Sequence, residues 1–345
     1  MGKNSVRNNN SKIVKPGIAD PASIQLQTMS ILGIDLGGTK LAAALFSPQG
    51  ELLREETTRL EKRSGAETGK LLLNRIINVI SEQKGKGKPV RSFGIAVPGI
   101  SDKESGTVWA PNIPGWEAFP LRDEIRKLDQ GIPFTIDSDR ACYILGERWM
   151  GAAKGCTDAI YLAVGTGIGA GILVNGEVLK GANDIAGSIG WMALERPYAE
   201  KYTECGCFES SASGEGIAKM ATELVKGAGD YRGMLKNKLT SRISASDIFD
   251  AYDRNDKIAV EVITHCIEIW GMAVANLVSL FNPQKIILGG GVFGPAIRFI
   301  PLIREQASRW AQPISMKKVV IEPTLLGSSA GLFGAAWLSM QNSKA

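Results

Sequence analysis

DAIYLAVGTGIGAGILVNGEVLKG, residues 158–181, decides the fold. An apolar run that reads as a buried strand meets a glycine turn, and a second apolar run follows. Asn175-Gly176 then makes a hairpin turn into a third strand. The same order occurs near the start of the chain. SILGIDLGG (30–38) is a strand running into glycines, and KLAAALFSPQGELLREET holds two more strands joined by the turn SPQG. Strand, glycine turn, strand, turn, strand therefore spans 31–53 and again 160–179. Two copies about 130 residues apart predict a duplicated α/β fold with a cleft between the copies.

The remaining segments fill in around these two. GAETGKLLLNRIINVISEQ (65–83) has helical spacing and KGKGKP ends it. RSFGIAVPG (91–99) is a strand with a Pro-Gly stop, and the 215–275 region is largely helical by spacing. QKIILGGGVFG (284–294) is another strand ending in glycines, and LLGSSAGLFGAAWLSMQ (325–341) reads as a closing helix.

Composition narrows the function. A chain of 345 residues suggests about two domains, and 44% hydrophobic with 22% charged residues are those of a soluble globular protein. Of the net charge of +5, the stretch 1–28 supplies +3, from Lys3, Arg7, Lys12 and Lys15 against Asp20. The rest is close to neutral, which argues against a nucleic-acid partner. The polar N-terminal stretch lacks the apolar run of a signal peptide, and no stretch reaches the roughly 18 apolar residues of a membrane span. Five cysteines without a secretion signal point to a reducing cytoplasm. The one histidine, His265, sits in a long amphipathic helix pattern and reads as a packing or surface residue. Mechanisms built on histidine would have nothing else to use.

Three strand-then-glycine sites could carry chemistry. In DLGGTK (35–40), Gly37 and Gly38 let backbone N–H groups approach an anion, and Thr39 and Lys40 offer a hydroxyl and an ammonium to a phosphate. Asp35 at the strand end could hold Mg²⁺ through water. GTGIGA (165–170) matches the loose dinucleotide pattern, but that pattern needs a helix after the glycines and here a hairpin follows. A second phosphate-binding turn fits better. Gly289, Gly290 and Gly291 after KIIL could let an adenine and ribose lie on bare backbone. IDSDRACYILGE (136–147) places Asp137 and Asp139 at a strand-to-helix junction. Asp139 reads either as a helix cap or as a general base for a hydroxyl attacking phosphorus.

Taken together, DLGGTK, VPG (97–99), APNIPGW (110–116), SDRACYILGE, GTGIGAG, CGCFESSASG and NPQKIILGGGV resemble the ROK sugar kinases and repressors of the actin/hexokinase-like superfamily, over residues ~30–340. The resemblance implies two actin-like lobes of ribonuclease H-like topology, with ATP and Mg²⁺ in the cleft. It divides the chain into a disordered tail over 1–29, an N-terminal lobe over 30–140 to which the closing helix 327–343 returns, and a C-terminal lobe over 141–326. By position, Asp35, Gly37, Gly38, Thr39 and Lys40 match the first phosphate loop; Gly165, Thr166, Gly167 and Gly169 match the second; Gly289–Gly291 match the adenosine loop. Asp139 matches the catalytic aspartate, and Asn112, Ser138 and Glu209 fall at sugar contacts. Dimers or tetramers are common in the family.

The departures lie on the sugar side. The family's A-G-E-x-G-H reads Ala186-Gly187-Ser188-Ile189-Gly190-Trp191 here, so Ser188 replaces a carboxylate and Trp191 an imidazole. The family's C-x-C-G-x-x-G-C-x-E aligns with Glu200–Glu209, where only Cys207 keeps a ligand position and Cys205 falls on a variable one. One thiolate without a histidine cannot close a zinc site, so no structural zinc is expected. Ser138 stands where the family has asparagine. Trp191 reads either as a surface to stack on a sugar or N-acyl group, or as filling for the space that histidine and zinc would vacate. The resulting expectation is an ATP-dependent hexose or N-acylhexosamine kinase with non-standard specificity. The alternative is a non-catalytic sugar sensor. A repressor ranks third, because only ~30 polar residues precede the first loop.

Overall fold

The computed structural model describes residues 29–342 except Lys62. The tail expected over 1–29 lies outside them but for Met29. Twelve strands and eleven α-helices run in this order among the described residues. First come β1 (Ser30–Leu36), β2 (Lys40–Phe46), β3 (Leu52–Arg59), α1 (Gly65–Gly85) and β4 (Val90–Val97). Next are β5 (Ile100–Ser101), β6 (Val108–Trp109), α2 (Leu121–Arg126), β7 (Phe134–Ser138) and α3 (Asp139–Met150). The second half has β8 (Ala159–Val164), β9 (Ile168–Val174), β10 (Glu177–Val178), α4 (Tyr202–Cys205), α5 (Cys207–Ala212) and α6 (Gly214–Gly227). It continues with α7 (Ala245–Tyr252), α8 (Lys257–Phe281), β11 (Lys285–Gly289), α9 (Ile300–Trp310), α10 (Pro313–Lys318), β12 (Val320–Pro323) and α11 (Ala330–Asn342).

The duplication is visible in the sheets. One has the order β3-β2-β1-β4-β7 and the other β10-β9-β8-β11-β12. In each, an antiparallel meander supplies one side and parallel strands the other, with β1 parallel to β4 and β8 parallel to β11. This is the two-lobe actin-like arrangement. Parallel strands put their carboxyl ends on one edge, and register sharpens that: Asp35, Ala96 and Asp137 form one row across β1, β4 and β7. The chemistry-bearing residues of the first sheet thus share an edge.

Each lobe has its own core. Leu32, Ile34, Phe93, Ile95 and Trp116 centre the first, and Leu162, Phe208, Trp270, Val274 and Ile286 the second. α8 is long and apolar enough to cross a membrane by length and composition, yet 67% of its most apolar window is buried in that second core. α11 lies on the first sheet: a Cβ at Gly33 or Gly94 would run into the backbone of Leu332 or Ala335. Only glycine allows so close an approach of helix to sheet. The same helix packs on α3 through Gly146 and Gly334, and Phe46, Trp149, Phe333 and Trp337 form an aromatic cluster across that joint. The lobe boundary expected at 140/141 falls in the first turn of α3. The closing helix begins at Ala330, after a 3-10 turn over Gly327–Ser329, and the region 215–275 is broken by a 3-10 segment at Met234–Thr240.

Candidate active site

Asp35, next to last in β1, lies in a setting that strips it of water. It is 9% exposed. Burial first, and then the nearby Asp139 carboxylate, push its pKa from 3.8 up to about 7, with Lys40 pulling the other way. Asp139 opens α3, and burial raises its pKa too, against the lowering effects of Arg140, its bond from the Arg140 N–H and Tyr143. The helix is not capped by Asp139. Ser138 is the N-cap, its Oγ accepting from the Ala141 N–H at 3.3 Å. The cap reading of Asp139 is therefore replaced by one in which Ser138 holds the helix start and leaves the Asp139 carboxylate aside. Its Oδ1 accepts from its neighbour Arg140 N–H at 2.7 Å, and its Oδ2 from the Tyr143 hydroxyl at 3.4 Å. The other aspartate of IDSD is taken: Lys180 pairs with both oxygens of Asp137. Burial and pairing thus separate three carboxylates that look alike in sequence.

Each sheet carries a glycine turn after its first long strand. Gly37 N–H bonds Lys40 O at 2.8 Å across the β1–β2 turn, with Gly38, Thr39 and Lys40 exposed. Gly165 N–H bonds Gly167 O at 2.9 Å across the β8–β9 turn, with Thr166 exposed. The N-terminus of α6 closes on it, Gly214 N–H bonding Gly165 O at 2.8 Å. The glycines sort by what a Cβ would meet. Gly37, Gly165 and Gly291 leave open space or loose contact, which is bare backbone available to a ligand. Gly38 is pressed against Asn112, Gly167 against Glu209, Gly289 against Tyr161 and Gly290 against Val164. Gly169, read from sequence as a nucleotide glycine, instead makes room for the side chain of Arg140.

On the sugar side, Asn112 stands beside Gly38. Glu209 points back to the second turn, its Oε2 accepting from the Ile168 N–H at 2.5 Å, and burial raises its pKa. Ser188 Oγ accepts from an Arg140 guanidinium N–H at 2.6 Å and donates to Ile185 O at 2.9 Å. Trp191 closes a short 3-10 turn and is 57% exposed. An indole with more than half its surface in water fills no void, which corrects the filler reading. Another carboxylate occupies the space instead. Glu195 accepts from the hydroxyls of Tyr202 and Ser211, lies 4.0 Å from Cys207 Sγ, and faces His265 Nε2 at 3.0 Å. The close approach of His265 chiefly, with bonds from Ser211 and Tyr202, holds the Glu195 pKa down at about 2. His265, half-buried on α8, thus lies against the Glu195 carboxylate, although its Nε2 lacks the alignment of a hydrogen bond.

The donors here do not fit the family's zinc. Tyr202 and Cys207, at two of the aligned ligand positions, both turn to Glu195. Among the described residues no group of three or more His, Cys, Asp or Glu is arranged to hold a metal ion. Sequence reasoning missed Arg140, Tyr143, Lys180 and Glu195. Only the site's three-dimensional neighbours mark them, since each partner lies far off in sequence or one helical turn away.

Residues 31–342 match the ROK family. The chain is 31% identical over 318 residues to a glucokinase of Halalkalibacterium halodurans, covering 90% of this chain and 94% of that one. It is also 31% identical over 314 residues to a xylose repressor of Caldicellulosiruptor bescii, covering 88% of this chain and 76% of that one. Among solved structures, a ROK family glucokinase from Streptomyces griseus in complex with glucose and AMPPNP superposes with a TM-score of 0.71 at 26% identity. That match covers 90% of this chain and 99% of the other.

Proposed function

Because the chain belongs to the ROK family and is a sugar kinase, we propose that it transfers the terminal phosphoryl group of ATP to a hydroxyl of a hexose or N-acylhexosamine, with Asp139 as general base. One observation carries this reading: Asp139 is a part-buried carboxylate at the carboxyl edge of the first sheet, in no ion pair with Lys or Arg among the described residues, and its surroundings raise its proton affinity. A base held in a dry site is the stronger base, because burial raises its proton affinity.

The residues fit ATP and Mg²⁺. Asp35 is a buried carboxylate whose charge is disfavoured until a cation offsets it, so Asp35 would hold Mg²⁺, through water. When bound, the ion supplies positive charge that neutralises phosphate oxygens. Gly37, Gly38, Thr39, Lys40, Gly165, Thr166 and Gly167 would cradle the phosphates, and Gly289–Gly291 the adenosine. Asp139 then takes the proton of the attacking hydroxyl at a carboxylate oxygen, while Tyr143 steadies that carboxylate from one turn along α3. Asn112, Glu209 and Trp191 would contact the sugar. Ser138, whose oxygen already accepts one N–H as the cap of α3, can join them through its own hydrogen. Ser188 and Trp191 make the specificity non-standard. The lobes over 30–140 with 327–343, and over 141–326, would close on the substrates. All five cysteines are free, which suits a reducing cytoplasm.

The test is an ATP-consumption screen over sugars with Asp139→Asn as control. Loss of base catalysis should lower kcat by about 10²–10⁴-fold with ATP binding kept. The reading is falsified if Asp139→Asn turns over at the wild-type rate. Sugar binding by the wild type without turnover on any sugar would favour the sensor.

A further inference from the structure

We propose that Arg140 is a specificity-determining residue of the sugar site, selecting a substrate whose ring carries an oxygen acceptor, either an N-acyl carbonyl or a carboxylate. This rests on the sugar-kinase reading above and goes past it to the substituent that is read.

The Arg140 charge acts on the Asp139 carboxylate, which places the guanidinium close enough to meet the ring of a sugar whose hydroxyl is held at Asp139. The side chain is aimed, not free. Its stem lies along β9 in the space that Gly169 leaves by lacking a Cβ. Its guanidinium donates to Ser188 Oγ at 2.6 Å in the second lobe and to Gly99 O at 3.3 Å in the first. The group therefore bridges the two walls of the cleft. Both partners are neutral. A guanidinium has five N–H donors, and these contacts occupy two. Among the described residues no Asp or Glu lies within 4.0 Å to pair with it, although it is half-buried. Every other cation near this edge has another use: Lys180 is paired with Asp137 and Lys40 belongs to the first phosphate turn. A part-desolvated, unpaired guanidinium in fork geometry favours a carbonyl or carboxylate oxygen over a hydroxyl, because the charge strengthens each bond it makes. Ser188 is what keeps it available, since a hydroxyl satisfies a donor without neutralising the charge. Three residues on, the exposed indole of Trp191 offers an apolar face for the carbon side of such a substituent.

The experiment compares kcat/KM for glucose, N-acetylglucosamine and glucuronate, and for the corresponding mannose, N-acetylmannosamine and mannuronate set, with the full chain and ATP. The wild type should prefer an acyl or acid sugar over its plain hexose by about tenfold or more, and which one identifies the source of the oxygen. Arg140→Ala should erase that preference, and Arg140→Lys should keep part of it. Ser188→Glu, which sets a carboxylate against the guanidinium, should erase it by a second route, with folding checked by thermal melting. Preference for plain hexoses by the wild type, or an equal fall on all sugars in Arg140→Ala, would overturn the proposal. If no sugar is phosphorylated, the kinase reading fails by itself. Calorimetric binding of the same sugars then decides for Arg140: selective loss of acyl- or acid-sugar binding in Arg140→Ala supports it, and unchanged binding overturns it.

Discussion

Asp35, buried, and Asp139, part-buried, repel each other's charge at the strand edge, and their proton affinities give the site a pH signature. The folded protein holds a proton on Asp35 up to about pH 7, whereas an unfolded chain releases it near 3.8. Between those values the folded state binds more protons, so stability falls as pH rises. The contribution from Asp35 is complete below about 3.8 and lost through about 7. Melting temperature without nucleotide should therefore drop by about a few degrees between roughly pH 5 and 8, and Asp35→Asn should shrink that drop without abolishing it, because Asp139 also binds its proton more tightly in the folded state. An unchanged slope in Asp35→Asn would show that another group carries it. Glu195 works in the opposite sense and elsewhere: its stability is present above 4.5 and lost as pH falls toward about 2. Asp139 must be ionised to accept a proton, so kcat/KM should fall on acidification at a higher pH than an unperturbed aspartate would give. A pH–rate profile checks this, and loss only where an unperturbed aspartate titrates would contradict the raised proton affinity.

At the scale of elements, the loop over 110–116 shows how packing delivers a polar residue to the cleft. Trp116 is fully buried, donates from its indole N–H to Gly65 O at 2.8 Å, and stacks on Phe119 with ring centroids 4.3 Å apart. Its carbonyl accepts from Ala110 N–H at 2.8 Å, closing the loop that carries Asn112 to Gly38. Trp116→Ala should cost about 3–5 kcal/mol, measured by denaturant unfolding. A loss below about 1 kcal/mol would mean that the loop holds its shape without the indole. α3 illustrates the complementary lesson. Its start at Asp139 agrees with the junction read from SDRACYILGE, but the choice of cap between two adjacent oxygen-bearing side chains depends on backbone direction. Ser138 sits in extended backbone at the N-cap with its oxygen turned into the helix. Neither residue type decides that.

Across the whole molecule, α3 and α11 meet at the joint between the sheets, and one buried acid ties α3 to the segment that leads from β12 into α11. Glu147 is 0% exposed and accepts from Ala152 N–H at 2.6 Å, Leu326 N–H at 3.2 Å and the Thr324 hydroxyl. Glu147→Ala leaves those donors buried and unmet, and should cost about 3 kcal/mol in thermal or denaturant unfolding. An unaffected melting temperature would place the strength of the joint in the aromatic cluster instead. The repeated strand-glycine-strand order, the helix spacing of 65–83 and the apolar closing segment are local patterns, so the sequence by itself determined the duplicated sheets and the glycine turns between their strands. Strand direction and turn chemistry act over a few residues and need no distant partner to be read. The identity of free and paired groups was decided only by the tertiary structure. Lys180 reaches Asp137 over 43 positions, Ser188 meets Arg140 over 48, and His265 finds Glu195 across the second lobe. Charge, solvation and hydrogen bonding depend on distance in space, and those distances exist only once the lobes have packed.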